Sequence, residues 1–139
     1  MNVLLINGSP KGKRSNSLRL ANSFIEGFKE GYKSKNEAVS IDEMHVASMN
    51  VGACKGCFAC WQKTPGVCCI NDDMQTVIGK MLEADIVVWS FPLYYFSVPG
   101  ILKNVIDRQS EDCRSFGHVG DNQYLSRDFG LSVQEESGR

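Results

Sequence analysis

The sequence predicts an α/β domain, a parallel sheet layered with helices, and three observations carry that prediction. Two short apolar runs, Val3–Ile6 and Ile86–Phe91, have the composition of strands covered on both faces. Helical spacing recurs beside them, in Leu18, Ala21, Phe24, Ile25, Phe28 and Tyr32, and again in Ile101, Leu102, Val105 and Ile106. The resulting order, strand and helix in strict alternation, calls for right-handed crossovers between parallel strands.

Asn2 to Asn7 forms the first strand and ends at Gly8. Ser15 or Asn16 supplies the N-cap of the first helix, which gives out across Gly31 to Asn36. Val39, Ile41 and Met44 then alternate as a second strand. Residues 48–71 have no periodicity and hold five of the six cysteines, the mark of a long functional loop. Asp72 to Gln75 opens the next helix in a capping-box-like pattern, and Met74, Val77, Ile78, Met81 and Leu82 give that helix its apolar stripe. Ile86 to Phe91 is the third strand, and Pro92 to Ser97 a loop dense in aromatics. Pro99 suits the first turn of a last helix, with Ser97 or Val98 at its cap. Residues 1–108 thus form the α/β domain. Residues 109–139 are a polar, Gly- and Ser-rich tail in which only Asp128–Val133 has strand character. The tail is expected to complete the sheet or to mediate assembly.

At 139 residues the chain is long enough for one real core. Its net charge of −1 argues against nucleic acid as the main partner. The charge is uneven: residues 1–70 carry nine Lys and Arg against five Asp and Glu. That half suits an anionic ligand. No run reaches the ~20 apolar residues that a bilayer requires, and the start of the chain reads as a core strand rather than a signal peptide. The expectation is a cytoplasmic protein, in which six cysteines point to metal or redox work before disulfides.

Two segments carry chemistry. The first is Gly8 to Ser17, where a buried strand empties into a small, basic loop and then a helix. Such a junction offers unpaired N–H groups and the positive end of a helix dipole to a phosphate. Ser9, Ser15, Asn16 and Ser17 add donors, and Lys11, Lys13 and Arg14 add charge. The loop matches neither the Walker A pattern nor the dinucleotide Gly-x-Gly-x-x-Gly, so a single phosphate monoester, as on a mononucleotide cofactor, fits best. The second segment holds Cys54, Cys57, Cys60 and Cys68, three thiols at tight spacing and a fourth further on, with Cys69 as an alternative fourth. Four thiolates suit an iron–sulfur cluster or zinc. The third option is thiols without metal, walling a pocket or a subunit contact. His45 and His118 read as surface histidines, and Asp72 and Asp73 as helix caps rather than a catalytic pair.

Taken together, Gly8-Ser9-Pro10 with Ser15-Asn16-Ser17, the Cys54-to-Trp61 stretch, Gly66 to Cys68 leading to Asp72-Asp73-Met74, and Pro92 to Gly100 followed by Leu102-Lys103 and Asp107-Arg108 resemble the NAD(P)H-dependent FMN reductases, within them the iron–sulfur flavoprotein branch. The resemblance spans roughly residues 1–108. It implies a flavodoxin-like three-layer sandwich, of which this chain offers three clear strands where the family's sheet has five. It further implies that Ser9, Lys11, Ser15, Asn16 and Ser17 hold the phosphate of FMN, and that Pro92, Leu93, Tyr94, Tyr95 and Phe96 flank its ring. By the same resemblance, Cys54, Cys57, Cys60 and Cys68 would bind a [4Fe–4S] cluster.

The function so implied is an oxidoreductase that uses NAD(P)H and FMN to reduce a small acceptor such as a quinone or flavin. Two alternatives stand beside it. One is an iron–sulfur flavoprotein passing electrons to a protein partner, and the other a shortened, non-redox relative with an assembly or metal-binding role. A homo-oligomer is expected, because the polar tail by itself cannot cover the third strand and the helix after it. Neither a nucleic acid nor a membrane is an expected partner.

Overall fold

The computed structural model describes residues 1–33 and 38–109. The end of the first helix's fraying segment, the Asp128–Val133 strand, Cys113 and His118 lie outside the described residues.

The apolar run at the start forms β1 (Asn2–Asn7), buried from Val3 to Asn7. It pairs in parallel with β2 (Ser40–His45) on one side and β3 (Ile86–Ser90) on the other, in the order β2-β1-β3. The register sets Asn7 opposite His45 and opposite Ser90. β2 carries the exposed Asp42 and Glu43, charges that blunt a strand at a sheet edge.

Helices lie on both faces, which gives the expected three layers. α1 (Asn16–Lys33) packs Leu18 and Ile25 on Leu5. On the other face α3 (Met74–Glu83) and α4 (Gly100–Asp107) enclose Leu4 and Ile6 with Met74, Val77, Ile78, Leu102 and Val105. Complete burial of side chains of this size contributes about 1.5–3 kcal/mol each, so this second cluster dominates the fold's stability. Gly8 lets α4 come close: a Cβ there would lie 2.5 Å from Leu102 Cδ2.

Several local expectations shift. β3 is only half-buried from Ile86 to Trp89, because among the described residues it pairs with β1 alone. α4 starts one residue later than expected, with Pro99 as its N-cap at φ −58° and ψ 146°. Leu102 and Val105 of α4 are buried within the chain's own core, so this helix needs no partner subunit to cover them. The long cysteine segment contains only one short helix, α2 (Ala59–Gln62). Among the described residues no helix is long and apolar enough to cross a membrane.

Candidate functional site

The chain leaves β1 toward β2 on one side and reaches β3 on the other. The carboxyl ends of β1 and β3 therefore flank a topological switch point, where open α/β sheets bind ligands. The two ends are tied together: the Gly8 N–H donates to the Ser90 carbonyl at 2.8 Å.

The loop from Gly8 to Ser15 is built around Asn7, which is fully buried. The Asn7 side-chain Oδ1 accepts the Ser9 N–H at 3.1 Å, and its Nδ2 donates to the Gly12 carbonyl at 2.9 Å. Ser9 Oγ accepts the Lys11 N–H at 3.3 Å, and the Ser9 carbonyl accepts the Gly12 N–H at 3.0 Å. Gly12 sits at φ +55°, a conformation that glycine adopts without strain. A short 3-10 turn over Gly12–Arg14 then delivers the chain to α1. α1 has no acidic residue in its first turn, so no carboxylate competes for the N–H groups and the dipole at its start.

Within this loop Ser9 and Ser15 are buried, Ser17 is half-buried, and Lys11 and Asn16 are exposed. Ser9 helps to hold the loop's own shape and keeps its hydroxyl hydrogen for another acceptor. At the switch point Ser90 Oγ is buried and has no hydrogen-bond partner among the described residues. Val88 packs into the α1-side cluster, so strand alternation puts Ser90 on the α1 face, the same face as Asn7. An orphaned buried hydroxyl beside a basic, donor-rich loop fits a polar ligand seated there.

After β3 the chain makes a tight turn, in which Tyr94 and Ser97 exchange both backbone hydrogen bonds, at 2.9 and 3.0 Å. Its two central residues, Tyr95 and Phe96, both have positive φ, +48° and +61°. Turns of this shape normally use Asn-Gly, because bulky L-residues are strained there. Tyr95 and Phe96 are 97% and 93% exposed, with ring centroids 6.1 Å apart. Leu93 and Tyr94 are exposed as well, and Pro92 is half-buried. Core packing does not account for these rings. Strain held at an exposed aromatic turn is the pattern of a ligand-contacting segment.

The cysteine segment is closed at its base by Arg108, which is buried. Its guanidinium donates to Asp72 Oδ2 at 2.5 Å, to the Gly52 carbonyl at 3.2 Å and to the Ile70 carbonyl at 3.3 Å. Asp72 also accepts the N–H groups of Gly52 and Met74. Burial pushes the Asp72 carboxyl up, but the Arg108 guanidinium and those two N–H groups outweigh it and hold the carboxyl below its usual range. Burial likewise works against the charge on Arg108, and Asp72 and the Cys68 thiol overcome it. The capping expectation thus holds for one Asp72 oxygen, on the Met74 N–H, while the other serves the ion pair. Asp73 accepts the Asn50 N–H at 2.7 Å and, though at the N-cap, makes no side-chain cap bond.

The four cysteines expected to share a cluster are not brought together. Cys57 Sγ lies 3.5 Å from Cys69 Sγ instead. Among the described residues no three or more His, Cys, Asp and Glu side chains gather to hold a metal ion. Gly56 and Phe58, at φ +60° and +52°, turn the chain on either side of Cys57 and aim its thiol at Cys69. The Ala59 N–H, and then Cys69, lower the Cys57 thiol below its ordinary value, while Cys57 raises that of Cys69. As folded, the loop presents Cys57 and Cys69 as a thiol pair.

Four residues of the site escape a reading of local pattern: Asn7, His45, Ser90 and Arg108. His45 is no surface histidine. It lies half-buried between Asn7 and Glu43. Only a polar side chain closing an otherwise apolar strand, as Asn7 and Ser90 do, could have drawn notice to this end of the sheet.

A parallel sheet that reverses its strand order beside an anion-receptive loop defines the doubly wound, flavodoxin-like class of α/β proteins. The chain belongs to the flavodoxin-like fold family, whose model matches residues 1–130. It is 41% identical over 108 residues to an "Iron-sulfur flavoprotein" of Archaeoglobus fulgidus, an alignment covering 78% of this chain and 48% of the relative. It is 29% identical over 127 residues to "FMN-dependent NAD(P)H:quinone oxidoreductase 1" of Pseudomonas aeruginosa, covering 86% and 58%. Among solved structures, an FMN-dependent NADH-azoreductase from Bacillus anthracis in complex with FMN superimposes with a TM-score of 0.56 at 23% identity, over 77% of this chain and 54% of that one. The chain spans about half the length of the curated relatives it matches.

Proposed function

We propose that the chain is an FMN-binding oxidoreductase that takes electrons from NAD(P)H and passes them to a small acceptor such as a quinone or flavin. The observation that carries the reading is the donor-rich loop at the β1/β3 switch point, with the orphaned Ser90 hydroxyl beside it. FMN, when bound, supplies the hydride and electron chemistry. The chain's own residues bind and orient it. Ser9, Ser15, Asn16, Ser17 and the start of α1 donate to the phosphate, and Lys11 adds charge at the rim. Pro92, Leu93, Tyr94, Tyr95 and Phe96 flank the ring, and their exposed aromatic surface excludes water from it once it is seated. The relatives named for FMN-dependent reduction of quinones support this reading.

The test is calorimetry with FMN and with riboflavin, which lacks the phosphate. Ser15→Ala and Ser17→Ala are each expected to weaken FMN by about 1.5–3 kcal/mol, the worth of a hydrogen bond to a charged acceptor. Riboflavin binding is expected to stay unchanged. Equal FMN affinity in wild type and both variants would overturn the assignment.

Relatives named iron–sulfur flavoproteins favour a second reading, an electron-transfer protein with a [4Fe–4S] cluster on Cys54, Cys57, Cys60 and Cys68. The Cys57–Cys69 pairing opposes it. Protein isolated without oxygen decides the matter: iron and sulfide in equal amounts, both lost in Cys57→Ser, would establish the cluster. Assembly as a homo-oligomer is part of the proposal, and the apolar surface left open at Leu93, Tyr95, Phe96 and Phe58 supports it.

A further inference from the structure

Asn7 spends both of its amide hydrogens. One goes to the Gly12 carbonyl, and the other points at His45 Nδ1, 3.0 Å away. Its orientation is fixed independently, because Oδ1 accepts the Ser9 N–H at 3.1 Å. His45 Nδ1 must therefore accept, which leaves the ring proton on Nε2, where Glu43 Oε1 receives it at 3.1 Å. Glu43, His45, Asn7 and Gly12 form one hydrogen-bonded chain from the edge strand β2 into the loop. A proton on Nδ1 would set two donors face to face at the buried Asn7.

We infer that His45 is a positioning residue for the phosphate loop: as a neutral acceptor it fixes Asn7, and Asn7 fixes the backbone of Ser9 and Gly12. Protonation of His45 releases that constraint and weakens binding of a phosphate-bearing ligand. The charged groups around the imidazole are Glu43 on its own strand and, across the hollow it shares with Pro10, Gly12, Ala47 and Ser48, Lys11 and Lys13 of the loop. The inference rests on the proposed FMN site for its ligand, but the hydrogen-bond chain exists without one.

The experiment compares wild type, His45→Leu and His45→Asn. An Asn at this position carries its Oδ1 where the imidazole carries Nδ1, so it restores the acceptor and cannot be protonated. FMN affinity is measured at about pH 8 and about pH 5, either side of the range in which imidazoles titrate. His45→Leu is expected to weaken FMN about tenfold at the higher pH, as when a buried donor loses its acceptor. His45→Asn is expected to match wild type there and to lose less affinity than wild type on acidification. The phosphate of FMN also titrates near pH 6, but equally in all three proteins, so the difference between them isolates the imidazole.

Hydrogen exchange at the Ser9 and Gly12 amides in FMN-free protein gives a readout independent of the ligand. It is expected to be faster in His45→Leu than in wild type and His45→Asn at the same pH. If wild type binds no FMN, the cofactor reading fails and this exchange result alone decides the inference. Indistinguishable exchange, or FMN binding with the same pH dependence in wild type and His45→Asn, would overturn it. Should His45→Leu fail to fold, the comparison of wild type with His45→Asn still decides.

Discussion

Asp72 and Arg108 stand 36 positions apart in the chain and meet as a buried ion pair. Removing one partner of such a pair leaves an uncompensated buried charge and costs about 3–5 kcal/mol. Asp72→Asn and Arg108→Leu are each expected to destabilise the fold by that order, read from urea unfolding midpoints. The Asp72 carboxyl titrates lower in the folded chain than in the unfolded one. Its contribution is therefore complete above the unfolded value of about 4 and is lost as pH falls through the lower folded value. Wild type should lose stability steeply over that acid range, and Asp72→Asn less so. Neither partner was legible as such: the sequence marks Asp72 as a helix-opening residue and Arg108 as the last residue of the α/β domain. A contact between distant segments leaves no trace in local periodicity.

Among the elements, β1 and its helices were legible because their burial is nearly uniform on the faces that matter. Leu18 and Ile25 lie on one side of α1, and Val77 and Ile78 on one side of α3, and helical spacing alone reveals such stripes. The turn after β3 was legible as an aromatic loop at the end of a strand, but its strained shape was not. Nothing in Tyr95-Phe96 signals positive φ, since sequence statistics favour the opposite. Replacing both residues with Asn-Gly is expected to relieve about 1–2 kcal/mol for each residue, seen as a rise in the unfolding midpoint. The same change is expected to weaken FMN, because it removes the rings proposed to flank the flavin. A variant that gained stability and kept full FMN affinity would show the aromatics to be bystanders at the site.

For the whole molecule, the alternation of strand and helix conveyed the layer architecture, while the strand order that places the switch point came from the structure. It did not convey how the thiols pair, because cysteine spacing is compatible with several loop conformations. The Cys57–Cys69 approach depends on chain reversals at Gly56 and Phe58, one of which falls on a residue with no preference for it. The expected oligomer also changes its basis. Leu102 and Val105 of the helix after the third strand are part of the core, and the most exposed rings are Tyr95 and Phe96, with Leu93, Tyr94 and Phe58 also exposed. Sedimentation velocity is expected to show association that weakens when Tyr95 and Phe96 are both changed to Ser. A monomer at all concentrations would sink the assembly proposal while leaving the cofactor site standing.

Arg108 reaches the carbonyls of both Gly52 and Ile70, so it grips the cysteine segment at its entrance and at its exit. What happens between those two points is thereby mechanically separated from the sheet. Changes of length inside the segment, away from Cys68, are therefore expected to leave the unfolding midpoint of the sheet nearly unchanged. Even doubling its length would add only about 0.6 kcal/mol of closure entropy.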